Sequence, residues 1–177
     1  MKNVSIVTLG CSKNDVDTQL MKSILDRDHF QPTEDLSESE VIIVNTCGFI
    51  ESAKEESIDT ILSMAQLKEA GKLEKILLAG CLAERYPDEL LRELPEVDGI
   101  LGTGNIRQVN EALLKIYDGR KVKFTGEIEA EYIENMPRED VGVTEYVQIA
   151  EGCNNQCTYC IIPALKGKNK SRSIESI

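Results

Sequence analysis

The sequence has no tryptophan and only three phenylalanines and five tyrosines in 177 residues. Its core must therefore be packed with leucine, isoleucine and valine. No apolar run approaches membrane-spanning length. Met1-Lys-Asn leads straight into Val4-Ser-Ile-Val-Thr-Leu9, too short a stretch for a signal-peptide core. The expected setting is the cytoplasm, with no membrane partner and with thiols kept reduced. Cationic residues are in the minority, 20 against 31 carboxylates, which leaves a net charge of −11. Such a surface repels nucleic-acid phosphates and suits a basic protein partner. The acid is concentrated ahead of residue 146, since the end of the chain sets Lys166, Lys168, Lys170 and Arg172 against Glu151 and Glu175. Histidine is almost missing, with His29 the single one.

That scarcity bears on the six cysteines that are present. Three of them fall in Cys153-Asn-Asn-Gln-Cys157-Thr-Tyr-Cys160. A structural zinc site wants four nitrogen or sulfur ligands, and no fourth stands nearby. A disulfide framework suits a secreted chain, which this one does not resemble. Thiolates are also the ligands of iron–sulfur clusters, where each iron of a cubane takes one. Three cysteines then leave one iron open for a substrate or cofactor, as in catalytic metal sites generally.

The first 120 or so residues alternate short β-branched runs with helical periodicity. Strands are expected at Val4–Leu9, Val41–Val44, Lys75–Ala79 and Gly99–Leu101. The helical stripes are Val16, Leu20, Met21, Ile24 and Leu25, with Asn14 or Asp15 as N-cap; Ile58, Ile61, Leu62 and Ala65; Leu90, Leu91 and Leu94 after Pro87; and Ile106, Val109, Leu113 and Ile116 after Asn105. Apolar strands separated by helices imply a doubly wound parallel α/β sheet, covered on both faces. We place this domain at 1–125, a linker at 126–145, and at 146–177 a new strand, Tyr146–Ala150, leading into the cysteine loop.

Cys11, Cys47 and Cys81 each follow an expected strand, with a glycine beside them in Gly10-Cys11, Cys47-Gly48 and Gly80-Cys81. Ligands of parallel sheets bind just outside the carboxyl ends of the strands. Small buried hydrophobes account for any one of these thiols. The repetition in three successive units favours a second ligand trio. Gly102-Thr-Gly104-Asn105 ends the fourth strand without a cysteine; a phosphate cradle and a tight turn both fit, and the turn is favoured. Lys13, Asn14, Asn45 and Glu84 flank the thiol-bearing turns and read as surface polar groups, with orienting of sulfur or substrate as the alternative.

Taken together, these residues resemble the radical S-adenosylmethionine (SAM) methylthiotransferases over nearly the whole chain. Thr8-Leu-Gly-Cys11-Ser-Lys-Asn14-Asp-Val-Asp17, Asn45-Thr-Cys47-Gly-Phe-Ile-Glu51-Ser-Ala-Lys-Glu-Glu-Ser57, Gly80-Cys81-Leu-Ala-Glu-Arg-Tyr86 and Ile149-Ala-Glu-Gly-Cys153 carry the likeness. Ser12-Lys13 and Gly48-Phe49 point to the branch that modifies an aspartate of small-subunit ribosomal protein twelve rather than to the tRNA (adenosine) branch. The resemblance implies two 4Fe-4S clusters, one on Cys11, Cys47 and Cys81 and one on Cys153, Cys157 and Cys160. SAM would bind the second, with Tyr159 beside it, and radical chemistry would place a methylthio group on the aspartate β-carbon. It also implies an electron donor such as a flavodoxin or ferredoxin, and nucleic acid as an improbable partner for this part. The 146–177 stretch becomes the start of a TIM-like radical SAM barrel. The rest of that barrel and a C-terminal TRAM domain are expected outside this chain, which would be inactive alone. Gln156 and Lys166 depart from the family's arginines, and both read as surface contacts. A non-catalytic iron–sulfur electron-transfer module is the remaining alternative.

Overall fold

A computed structural model of the chain describes residues 1–126 and 143–177. The linker expected at 126–145 lies almost wholly outside the described residues. The first of these stretches runs β1 (Lys2–Thr8), α1 (Ser12–Ile24), β2 (Phe30–Pro32), β3 (Val41–Thr46), α2 (Glu51–Glu69), β4 (Lys75–Gly80), α3 (Cys81–Arg85), α4 (Pro87–Glu93), β5 (Gly99–Leu101), α5 (Val109–Tyr117) and β6 (Val122–Phe124). The six strands form one sheet in the order β2-β1-β3-β4-β5-β6. Every pairing is parallel. The chain winds outward in one direction through β2 and in the other from β3 onward. The winding therefore reverses between β1 and β3, and the crevice of such a fold opens there.

Alternation along β3 assigns its side chains to two cores. Val41 and Ile43 pack with Met21, Leu25, Val109, Leu113 and Ile116 beneath α1 and α5. Ile42 and Val44 pack with Ile61, Met64, Leu90 and Ile100 beneath α2 and α4. All six residues of β3 are buried, as a central parallel strand requires. Leucine, isoleucine and valine dominate both cores, and Phe30 is the one aromatic among the largest fully buried side chains.

Several local expectations are revised. The first helix begins at Ser12, with Cys11 itself in the N-cap position. Asn14 does not cap it, because its amide is used on Leu9 and Thr46 carbonyls. The fourth helix starts as a 3-10 turn over Ile106–Gln108 before α5. The edge strand β2 and the short α3 have no periodic signal long enough to be read from sequence.

In the second described stretch, β7 (Ala150–Glu151) pairs antiparallel with β8 (Lys170–Ser171), and α6 (Ile162–Lys166) lies between them. The strand expected at Tyr146–Ala150 is thus reduced to its final residue plus Glu151, the only two that find a ladder partner. The described residues contain no helix long and apolar enough to cross a membrane.

Candidate functional site

Cys11, Cys47 and Cys81 all stand just beyond the carboxyl ends of their strands, β1, β3 and β4, which are neighbours in the sheet. Parallel register puts those ends level, with Thr8 opposite Asn45 and Thr46 opposite Gly80. Cys11 is exposed, Cys47 buried and Cys81 half-buried. The backbones approach too closely for side chains between them. A Cβ on Gly10 would lie 2.6 Å from the Cβ of Cys47 and 2.8 Å from its Sγ. One on Gly48 would lie 3.0 Å from the backbone of Leu82 and 3.3 Å from Cys81 C. These two glycines draw the three thiol-bearing turns together.

A buried polar web fixes the turns. The Asn14 amide donates to the carbonyls of Leu9 at 2.6 Å and Thr46 at 3.2 Å, joining the ends of β1 and β3. Asn45 returns the link by donating to Asn14 O at 2.9 Å and Thr18 Oγ1 at 3.0 Å. Ser57 Oγ accepts from the Cys47 N–H at 3.1 Å and donates to the Cys47 carbonyl at 3.0 Å. Thr46 Oγ1 donates to Ala79 O at 2.6 Å and accepts from Ala83 N at 3.3 Å, tying β3 to the start of α3. Asn14 and Asn45 are therefore buried braces rather than surface groups. Thr46 and Ser57 belong to a segment that carries the family likeness, but their bracing role is not legible there, because a lone hydroxyl in a helix or strand carries no signal of what it faces.

The carboxylate of Glu84 is spoken for as well. It accepts from the N–H of Thr103 at 3.2 Å and from Gly126 at 2.9 Å. The Gly102–Asn105 loop thus folds around an anion from its own chain, and the tight-turn reading holds there. No room is left for a phosphate, since even a Cβ on Gly102 would meet Glu84 Oε2 at 1.8 Å.

Burial pushes the Cys81 thiol up to about 11, with the nearby Cys47, Asp17 and Cys11 adding to the shift and Lys166 opposing it. The thiols are thus within electrostatic reach of one another. Among the described residues no group of three or more His, Cys, Asp or Glu side chains could grip one metal ion. Mononuclear zinc has no ready-made seat in them. Thiolates are the soft donors that ligate iron–sulfur groups, which spread their ligands over several irons. A group with such a raised thiol also binds cations with release of a proton. In the cluster-free, reduced chain, at a pH well below 11, Cys81 should hold about a hundredfold less thiolate than an ordinary thiol. Iodoacetamide at pH 8 is expected to label Cys11 long before Cys81, read by peptide mass spectrometry. Equal labelling rates would contradict the burial argument.

The second trio lies in the loop between β7 and α6. Cys153 and Cys160 are half-buried and Cys157 is exposed. The Cys160 N–H donates to Cys157 O at 3.0 Å and the Asn155 N–H to Cys153 Sγ at 3.4 Å, so the loop is turned back on itself at both ends. Tyr159 is 89% exposed. Lys166 is where the sequence misled most. It is 8% exposed and its ammonium reaches Asp17 Oδ2 and Glu151 Oε1, both at 2.9 Å. Burial works against its charge, but the two carboxylates outweigh this and hold its pKa above the ordinary lysine value.

Comparison with known proteins gives two findings. Residues 3–102 match the uncharacterized protein family UPF0004. The whole chain is 45% identical to a protein of Clostridioides difficile described as ribosomal protein uS12 methylthiotransferase RimO. It is 47% identical, over 99% of its length, to one of the same description from Desulfitobacterium hafniense. In both cases the chain spans 40% of the length of the curated relative it matches.

Proposed function

The chain belongs to the uncharacterized protein family UPF0004, and from that premise we propose that it works within a radical SAM methylthiotransferase acting on an aspartate of ribosomal protein uS12. The observation that carries this reading is the placement of Cys11, Cys47 and Cys81 after three adjacent strands, at the edge where the winding reverses. Those three thiolates would hold one 4Fe-4S cluster, and Cys153, Cys157 and Cys160 a second. When bound, such groups supply the one-electron chemistry that an aspartate β-carbon needs, because its C–H bond has no useful acidity for a general base.

The protein's own part is positional. Asn14, Asn45, Thr46 and Ser57 brace the turns that carry Cys11, Cys47 and Cys81, the residues that would hold the first group. Gly10 and Gly48 let the three turns pack directly against one another. SAM would be the second cofactor, with Tyr159 free to close over it. The acid-rich surface would attract a basic protein substrate, as ribosomal proteins are, and repel tRNA. A flavodoxin or ferredoxin would deliver electrons, in the cytoplasm.

Two measurements test this. Anaerobic reconstitution of the chain with iron and sulfide should give about eight irons and eight labile sulfides. In the protein extended to the length of its relatives, a uS12 peptide carrying the target aspartate should gain one methylthio group by mass spectrometry. A gain on a tRNA anticodon stem with none on the peptide would transfer the assignment to the tRNA branch.

A further inference from the structure

Lys166 and Asp17 lie far apart in sequence, yet they meet with both side chains almost wholly out of water. Asp17 is 4% exposed, in the second turn of α1, the helix that Cys11 precedes as N-cap. Lys166 ends α6, a helix that starts two residues after Cys160. Next to it, Leu165 is buried and its carbonyl accepts a hydrogen bond from Thr103 Oγ1 in the loop after β5. The same helix packs against α3, whose first residue is Cys81. Glu151, two residues before Cys153, completes the triad from the other side. Each partner of the ammonium thus lies close to a cysteine in the chain, Asp17 six residues after Cys11 and Glu151 two residues before Cys153.

We propose that the buried Lys166–Asp17–Glu151 triad is a registration latch that fixes the Cys153–Cys160 loop over the sheet edge bearing Cys11, Cys47 and Cys81. A buried ion pair adds little net stability over an apolar contact of the same size, because both charges lose their water. It does enforce one geometry, since any slip leaves a charge buried and unpaired. Hydrophobic packing of Leu165 alone would tolerate sliding by an ångström or two. Lys166 is therefore a positioning residue. It touches no reacting atom and acts by setting the separation of the two trios, a role that rests on the function proposed above.

The test uses the chain itself in two states. In the reduced, cluster-free chain, amide hydrogen exchange is followed at Cys153, Leu165 and Gly167, whose N–H groups bond within the docked segment. Lys166→Met should speed exchange at these three by about 100-fold, with the central amides of Ile43 and Leu77 unchanged. Lys166→Arg, which keeps the cation, should retain slow exchange. In the iron- and sulfide-loaded, dithionite-reduced chain, electron paramagnetic resonance reads the dipolar coupling between the two clusters. That coupling should persist in the wild type and Lys166→Arg and fall at least severalfold in Lys166→Met. Should Lys166→Met unfold the whole chain, Asp17→Asn decides by the same two readouts. Unchanged exchange and unchanged coupling would overturn the latch. A chain that takes up no iron would instead overturn the proposed function, and exchange would still judge the latch.

Discussion

Gly80→Ala is expected to lower the stability of the chain by about 4 kcal/mol, and its Tm by roughly 10 °C. Gly80 has φ +89° and ψ −158°, a region closed to residues with a Cβ. It ends β4 directly opposite Thr46 in the middle of the sheet, so the backbone cannot rotate away without breaking that register. A Cβ there would stand 2.5 Å from Asn45 Oδ1, 2.5 Å from Thr46 O and 3.0 Å from Thr46 N. Two of those neighbours are backbone of the most deeply buried strand. Gly71→Ala provides the control, because Gly71 also has positive φ, +70°, but meets nothing within 4 Å. It should lose only about 1 kcal/mol, from the backbone conformation alone. Thermal and urea unfolding of the two variants side by side would check this. Equal losses would mean that the close approach at residue 80 carries no energetic weight. Any folded Gly80→Ala should also displace Cys81, its neighbour, and bind iron poorly.

The parallel sheet was legible in the sequence because its strands are short apolar runs separated by amphipathic stripes, and only a sheet covered on both faces buries such runs. The placement of Cys11, Cys47 and Cys81 was legible for the same reason, since each follows a strand and topology does the rest. What brings them close was only partly visible. The glycines stand in the sequence, but that Gly10 faces Cys47 across two strands is a fact of register. Asn14 and Asn45 looked like surface amides because sequence reports polarity and not depth. Both are buried; Asn14 bonds carbonyls at the ends of β1 and β3, and Asn45 bonds the Asn14 carbonyl and the Thr18 hydroxyl. Lys166 is the sharpest case. A lysine in a basic stretch, Lys166 to Arg172, reads as solvated, and nothing local announces a carboxylate from the opposite end of the chain. Long-range ion pairs leave no periodic trace, so local pattern cannot find them.

Cys47→Ala and Cys157→Ala are expected to separate the two trios by function, with the largest effects on activity of any substitutions considered. Each should halve the iron bound on reconstitution, from about eight to about four per chain. Their consequences for the extended protein differ. Cys157 belongs to the loop proposed to hold SAM, so its loss should abolish both SAM cleavage and the modified peptide. Cys47 belongs to the trio proposed to present sulfur. Its alanine variant should still cleave SAM while forming at least about a hundredfold less methylthiolated peptide, since even groups that merely orient metal ligands matter by factors of 10–100. The buried position of Cys47 strengthens the comparison. Alanine keeps its Cβ, the contact to Gly10 is retained, and Ser57 goes on bonding the backbone of residue 47. The sheet should therefore remain intact, and loss of product cannot be blamed on unfolding if Tm stays within a few degrees. Product at the wild-type level from Cys47→Ala would remove the first trio from the chemistry altogether. Loss of SAM cleavage in that variant would instead mean that the two trios depend on each other for assembly, which is the coupling that the Lys166 latch would transmit.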